Sequence, residues 1–396
     1  MGRFLWRVLA LAVAGVMLAG PTLTGAQERG ITPTEVVLGS SMPLSGPAAY
    51  WGAVGKGIDA YVKYVNDQGG IHGRKLRFVL RDDSYLPPRA VANVRELVER
   101  AGVFAIVGLI GTANAFAVRD YIVQNRVIWI TPTADSSIWA GFRQKRYLFV
   151  TYPSYVHEGA ILTRYAAEKL GVKNVAVFYQ NDLYGQKGLL GVKRAVAALK
   201  GAVKLVSAVP YELVVTDLSS HALKLRESGA DAVILYATPR HGALIVREMA
   251  KIGYRPRLLA SFTLTDPIMF TLAGEAWDDV YLTAFFPLPG TDPKVDETLQ
   301  ILFRYDPTLR ANPFNSVAGV AFLEPFLEGL RRAGRDLTTD RFISAMETIR
   351  NWDGQVIRGV TFGPDRRQGI NRIYIVRAEK GRYTKLTDWI EYPVEF

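Results

Sequence analysis

From residue 36 onward, short runs of apolar and β-branched residues alternate with amphipathic stretches of helical period, and this alternation constrains the fold more than any other feature. Val36-Val37-Leu38-Gly39 reads as a buried strand. A helix follows to about Asp67, with Ile58, Tyr61, Val62 and Val65 on one face and Lys56 and Lys63 off it; Gly69-Gly70 ends it. Further strands are expected at 76–80, 103–107 and 127–130, with a helix opened by Pro87-Pro88 between the first two and another before the last. Strand, helix, strand with short links gives a parallel sheet with helices on both faces. The pattern restarts after Pro153. Helices near 155–170, 185–199, 218–228 and 242–252 precede strands at 175–179, 203–209, 232–236 and 258–260. One more strand, 280–285, leads into three helical stretches near 294–304, 316–333 and 339–349. The tail has β-rich runs at 356–362, 373–377 and 383–386. It is too short for a domain, so the chain is expected to recross between two α/β units.

Length and composition fit that reading. With 396 residues, 49% hydrophobic and 21% charged, the chain is long enough for two separate cores. Arg3 and Arg7, the apolar stretch 9–19 and the small residues Thr24-Gly25-Ala26 read as a cleavable secretory signal over residues 1–26. The apolar run is shorter than the roughly 20 residues needed to span a bilayer. A soluble protein outside the cytoplasm, in the periplasm, is expected. There is no cysteine, which excludes disulfides, thiol nucleophiles, cysteine–zinc sites and lipidation at a cysteine after the signal. Removing Arg3 and Arg7 takes the formal net charge from +11 to +9, but the basic residues are scattered without a run of five or six. They read as a solvated surface rather than a nucleic-acid face; an anionic ligand or membrane surface stays open.

Parallel sheets of this type bind ligands at the carboxyl ends of their strands. The residues there are small, hydroxylated or aromatic, with few charges: Ser40 to Gly52, Gly108 to Ala113, Thr131 to Asp135, Gln180 to Gly185, Ala237 to Arg240 and Ser261 to Thr263. Helix N-termini follow most of these loops and favour a carboxylate. Thr112, Thr133 and Asp135 are equally the residue types that cap helices, and Trp51 and Tyr184 are as readily core as pocket wall.

No catalytic constellation is present. There is no Gly-x-Ser-x-Gly or His-Glu-x-x-His, and the lysine of Gly52-Ala53-Val54-Gly55-Lys56-Gly57 lacks the spacing and hydroxyl of a phosphate loop. His72, His157, His221 and His241 lie far apart, so neither metal nor cofactor is expected. Asp82-Asp83 is the best carboxylate pair. It fits a cation, an acid–base role in a secreted hydrolase, or the capping of a loop beside Arg81.

A set of motifs running from Val36 to Phe362 resembles the branched-chain amino acid-type solute-binding proteins of ABC transporters. They are Val37-Leu38-Gly39 with Pro43-Leu44-Ser45-Gly46-Pro47; Asn66-Asp67-Gln68-Gly69-Gly70-Ile71-His72-Gly73; Asp82-Asp83; Val107-Gly108; Ile130-Thr131-Pro132; Asp182-Leu183-Tyr184-Gly185; and Phe362-Gly363-Pro364. The resemblance implies a type I periplasmic binding protein fold: two α/β, Rossmann-like lobes with parallel central sheets, joined by three hinge crossovers. Lobe 1 would be 32–151 and 286–351, and lobe 2 would be 152–285 and 352–396. It further implies a monomer that is not an enzyme, closing on a small-molecule ligand and delivering it to an ABC permease in the inner membrane, or reporting it to a receptor. Carried over by position, the family's ligand contacts fall on Trp51, Gly111, Thr112, Thr133, Asp135, Tyr184, Pro239 and Phe262. Where amino acid binders carry an acid for the ligand ammonium this chain has Phe262, and Asp135 replaces a hydroxyl residue. Those departures point to an apolar or aromatic carboxylate; branched-chain or other amino acids are the alternative. Asp135 would then meet an amine or amide, or donate when protonated.

Overall fold

The computed structural model describes residues 28–396. The stretch read as a signal, 1–26, lies outside them. In chain order the first unit is β1 (Glu35–Met42), α1 (Ala53–Asp67), β2 (Lys75–Asp82), α2 (Pro87–Glu99), β3 (Ala105–Val107), α3 (Thr112–Gln124), β4 (Ile128–Ile130) and β5 (Leu148–Phe149). The second is α4 (Tyr155–Lys169), β6 (Asn174–Gln180), α5 (Leu183–Ala198), β7 (Lys204–Tyr211), α6 (Ser219–Glu227), β8 (Ala232–Tyr236), α7 (Pro239–Lys251), β9 (Arg257–Ala260), α8 (Ile268–Ala273) and β10 (Tyr281–Ala284). Helices α9 (Pro293–Tyr305), α10 (Pro313–Ala333) and α11 (Thr339–Met346) follow, then β11 (Arg372–Glu379), β12 (Arg382–Lys385) and β13 (Ile390–Glu391).

Two sheets result. The first, in the order β2-β1-β3-β4-β5, is wholly parallel. The second runs β12-β11-β10-β9-β8-β6-β7; it is parallel from β6 to β10, and the tail strands join it antiparallel, β13 also pairing with β11. Helices α9 and α10 pack on α1, and α11 on α10, so the chain passes between the two units three times: after β5, after β10 and after α11.

The local reasons are those of elementary helix and strand chemistry. β1 is buried along all but its first residue, as a central parallel strand must be. In α1, Ile58, Tyr61, Val62 and Val65 are buried while Lys56 and Lys63 are exposed. Gly69 and Gly70, at φ 97° and 75°, turn the chain so that the Gly70 N–H reaches the Val65 carbonyl at 3.0 Å. Pro87 and Pro88 occupy the first turn of α2, where their missing N–H groups are not needed.

Three expectations are corrected. Residues 356–362 form no named strand, because the N–H groups of Gln355, Val356 and Ile357 donate to the buried Glu324 carboxylate of α10 instead of to a ladder. Helices α5 and α7 begin earlier than read, at Leu183 and Pro239, capped by the side chains of Asp182 and Thr238. The two-residue strands β5 and β13 and the short α8 were not expected.

Candidate functional site

The strand-end loops of both units and the first turns of α10 converge on one narrow cavity of about 40 Å³ between the lobes. The first unit contributes Trp51 after β1, Tyr85 after β2, Gly111 and Thr112 at the start of α3, and Thr133 after β4. The second contributes Tyr155 at the start of α4, Tyr184 at the start of α5, and Phe262 and Thr263 after β9. Ten of the eighteen lining residues are aromatic and none is charged, so the cavity suits an apolar body far better than a bare ion.

The rings are set edge to face and stacked. Tyr155 lies over Phe262, with centroids 5.2 Å apart and 14° between planes. Tyr184 meets Tyr155 at 4.7 Å and, across the cleft, Trp51 at 6.1 Å, edge-on. The Tyr184 and Thr263 hydroxyls are 2.6 Å apart. Polar contacts also cross between lobes: Asn315 Nδ2 donates to Asp266 at 3.0 Å, and Gln180 Nε2 to the Tyr85 hydroxyl at 3.4 Å. The two halves are therefore closed on each other.

The starts of α10 and α3 at the cavity both lack a side-chain cap; the Asn315 backbone N–H of α10 is taken by the Asp266 carboxylate, which leaves anion-binding character at the corner of α3. Gly111 precedes α3 without a side-chain cap, leaving the first N–H groups of a 13-residue helix facing the cavity wall. Beside it, the Thr133 hydroxyl is buried and has no hydrogen-bond partner among the described residues. The backbone there is held in unusual conformations: Leu109 and Thr131 have φ of 82° and 46°, and the Gly111 N–H donates to the Thr133 carbonyl at 3.1 Å. Such outliers persist only where the surroundings enforce them, commonly at binding sites.

Six of the eight residues expected to contact a ligand thus line the cavity: Trp51, Gly111, Thr112, Thr133, Tyr184 and Phe262. Two do not. Asp135 is buried behind the wall; its Oδ1 accepts the Tyr155 N–H at 2.6 Å, its Oδ2 accepts the Ser137 hydroxyl, and burial raises its pKa. It ties the first crossover to the start of α4, so its carboxylate is used by the protein. Pro239 is the first residue of α7, a position its fixed φ suits, and lies away from the cavity. Asp82 and Asp83 also stay out of the cavity. Asp82 accepts the Leu44 N–H at 2.8 Å and the Ser45 hydroxyl at 2.6 Å. Asp83, its pKa pushed up to about 6 by burial, accepts the Ser41 hydroxyl and the Tyr85 N–H, both at 2.8 Å. Arg81 pairs with Glu96 at 2.8 Å instead.

Reading along the chain missed Tyr85, Tyr152 and Tyr155. The available signal was Asp83 two residues before Tyr85: its carboxylate holds the Ser84–Tyr85 turn at positive φ, 51° and 64°, which swings the ring into the cleft.

A family model described as periplasmic binding protein matches residues 35–382. The chain belongs to that family. This periplasmic binding protein is 27% identical over 304 residues to the Leu/Ile/Val-binding protein homolog 3 of Brucella melitensis, covering 76% of this chain and 80% of that one. Its fold matches a branched chain amino acid ABC transporter protein of Thermus thermophilus with bound valine (TM-score 0.82, 19% identity, 91% and 98% covered). It also matches a fatty acid ABC transporter substrate-binding protein of Thermomonospora curvata (TM-score 0.80, 22% identity, 93% and 96% covered). The two-lobed α/β architecture is that of type I periplasmic binding proteins. Among the described residues no helix is long and apolar enough to cross a membrane, and no group of three or more His, Asp or Glu side chains could hold a metal ion.

Buried acids brace the site from behind. Glu158 of α4 accepts the Phe262 N–H at 2.7 Å and the Ser261 hydroxyl at 2.9 Å, and also holds the Thr283 hydroxyl, fixing Phe262 in the wall. Burial raises Glu158, Asp266 and Glu324 to about 7 each. Each binds its proton more tightly folded than unfolded. The stability linked to it is complete below about pH 4 and is lost as pH rises through about 7. The thermal midpoint of the protein is expected to fall between about pH 5 and about pH 8, and Glu158→Gln to flatten part of that fall. A profile identical in the variant and the parent would refute the assignment for Glu158.

Proposed function

We propose that this periplasmic binding protein captures a small carboxylate with an apolar or aromatic body by closing its two lobes, and hands it to an ABC permease. The carrying observation is the pairing of a charge-free aromatic cavity with a single anion-favouring corner, the uncapped start of α3 beside the unpartnered Thr133 hydroxyl. The carboxylate sits on the Thr112 amide at the start of α3, the Gly111 N–H being held by the Thr133 carbonyl, and on the Thr133 hydroxyl; the body packs among Trp51, Tyr85, Tyr184 and Phe262. A cavity of about 40 Å³ admits such a guest only when the lobes part. The fatty acid-binding neighbour is consistent with an acid that has no ammonium.

The competing reading is a branched-chain amino acid, favoured by the printed name of the Brucella relative. It meets a physical objection. The ammonium would be buried with no carboxylate among the lining residues, at a penalty of several kcal/mol. Leucine and 4-methylpentanoate share a carbon skeleton and differ by that ammonium, so calorimetric titration of both separates the readings. At least about tenfold tighter binding of 4-methylpentanoate is expected; tighter binding of leucine would overturn the proposal. Thr133→Val keeps the shape and removes the hydroxyl. It should weaken carboxylate binding by about 10- to 100-fold while leaving the thermal midpoint unchanged, since the hydroxyl serves no partner within the protein.

A further inference from the structure

Beside the interlobe passages, at the β11–β12 end of the second sheet, lies a groove of about 430 Å³ that shares no lining residue with the cleft. Its floor is the β11–β12 hairpin and Trp389. Its walls are two of the three interlobe passages, residues 287–292 and 353–358. Arg372 and Tyr374 share one face of β11, and Lys385 comes from β12. The Arg372 guanidinium lies 4.6 Å from the Trp389 ring centroid, and the Lys385 ammonium 5.6 Å from that of Tyr374. The two rings meet edge to face at 4.9 Å, and the Tyr374 hydroxyl is anchored on the Phe286 carbonyl at 2.8 Å. The floor therefore alternates cation, ring, ring, cation.

The acids of the groove are already engaged. Asp292 pairs with Arg358 at 2.9 Å and accepts the Lys294 N–H; Asp353 accepts the Gly359 N–H at 2.7 Å. Lys385 has only the fully exposed Asp388, at 3.5 Å. The half-buried Arg372 makes no ion pair or side-chain hydrogen bond with any described residue, although its planar fork carries five N–H donors. Gly359 lies against it, where a Cβ would come within 2.1 Å of Nη2. A guanidinium fixed on an aromatic face, with its donors unmatched and a second cation at the other end of the two rings, suits a bidentate oxyanion, and the adjoining rings suit a planar group.

We infer that this groove is a second binding site, for a small planar organic anion whose oxyanion meets the Arg372 guanidinium, whose ring lies along Trp389 and Tyr374, and whose charge is further attracted by the Lys385 ammonium at the other end of that row. Phenyl phosphate is the probe, titrated calorimetrically into the full-length mature protein. Arg372→Gln and Lys385→Gln should each weaken binding by about tenfold or more. Thr133→Val, which alters only the cleft, should leave it within about twofold, and inorganic phosphate should bind several-fold more weakly than phenyl phosphate for want of a ring. Lys385 is half exposed and its ammonium meets only the Tyr374 ring and Asp388, so its variant stays informative if Arg372→Gln unfolds. Absence of binding to the parent protein, unchanged binding in Lys385→Gln, or loss of binding in Thr133→Val alone would each overturn the inference. The last would place the probe in the cleft.

Discussion

Replacing Tyr85 by alanine is expected to weaken binding of a small ligand about a hundredfold and to reverse the protein's preference for ligand size. Tyr85 fills the cleft between Trp51, whose ring centroid is 5.6 Å away, and the Gly111 turn, while its hydroxyl reaches Gln180 of the opposite lobe. Truncating a packed aromatic side chain removes ~3 kcal/mol or more of contact, which corresponds to that loss of affinity when the contact forms on closure. The space released is about one aromatic ring. A carboxylate with a longer aryl tail, such as 4-phenylbutanoate, should gain in the variant while 4-methylpentanoate loses. The turn itself is held by Asp83 through the backbone N–H of Tyr85, not through the ring, so the loop should keep its course. Calorimetric ranking of both acids on the parent and the variant decides the matter; an unchanged ranking would mean that Tyr85 packs the lobes together without setting ligand size.

That Tyr85 escaped a reading of the sequence, while most of the fold did not, has a physical cause. Periodicity reports burial against a continuous layer, and α1, β1, β6 and β8 all face such layers, so their residues show it. A strand-end loop shows composition instead. Small and hydroxylated residues at matching ends marked Gly111, Thr112 and Thr133, but composition does not separate a hydroxyl that faces ligand from a side chain that serves the protein. Asp135 shows the limit: its role at the first crossover depends on Tyr155, twenty residues on, whose N–H it accepts. Residues 356–362 show the same in reverse. Their β-branched composition is real, yet Glu324 of α10, thirty-one to thirty-three residues earlier than its partners, takes the N–H groups a ladder would need. Contacts of this kind exist only once the three passages between lobes have brought distant segments together, and no local pattern encodes them. The swing of Tyr85 into the cleft lies between the two cases: Asp82 and Asp83 just before it accept the Ser84 and Tyr85 N–H groups, a local signal, while Ser41 of β1, forty-two residues earlier, holds the Asp83 carboxylate.

A second large effect is expected at Gly57, where valine should destabilise the protein by ~3 kcal/mol or more and abolish ligand binding with it. Helices α1 and α10 cross in backbone contact. A Cβ on Gly57 would lie 2.0 Å from the Ser316 carbonyl oxygen, and one on Gly319 would lie 2.2 Å from that of Val54. The contacts are reciprocal and involve main-chain atoms, so no side chain can move aside; the helices must separate, breaking the packing around them. The second lobe uses the same device between α4 and α5, where Gly191 meets the Val156 carbonyl at 2.1 Å and Gly159 that of Gly188 at 2.4 Å. Function should follow stability at Gly57 because α10 carries Phe314, Asn315, Ala318 and Phe322 to the cavity and the turn leading into α1 carries Trp51. Pushing the two helices apart displaces one wall of the cleft from the other. Urea unfolding followed by circular dichroism gives the stability, with Lys56→Ala, an exposed neighbour on the same helix, as the comparison expected to change by no more than about 0.5 kcal/mol. A Gly57→Val protein with the parental unfolding midpoint would show that α1 and α10 tolerate a wider spacing than their close approach implies.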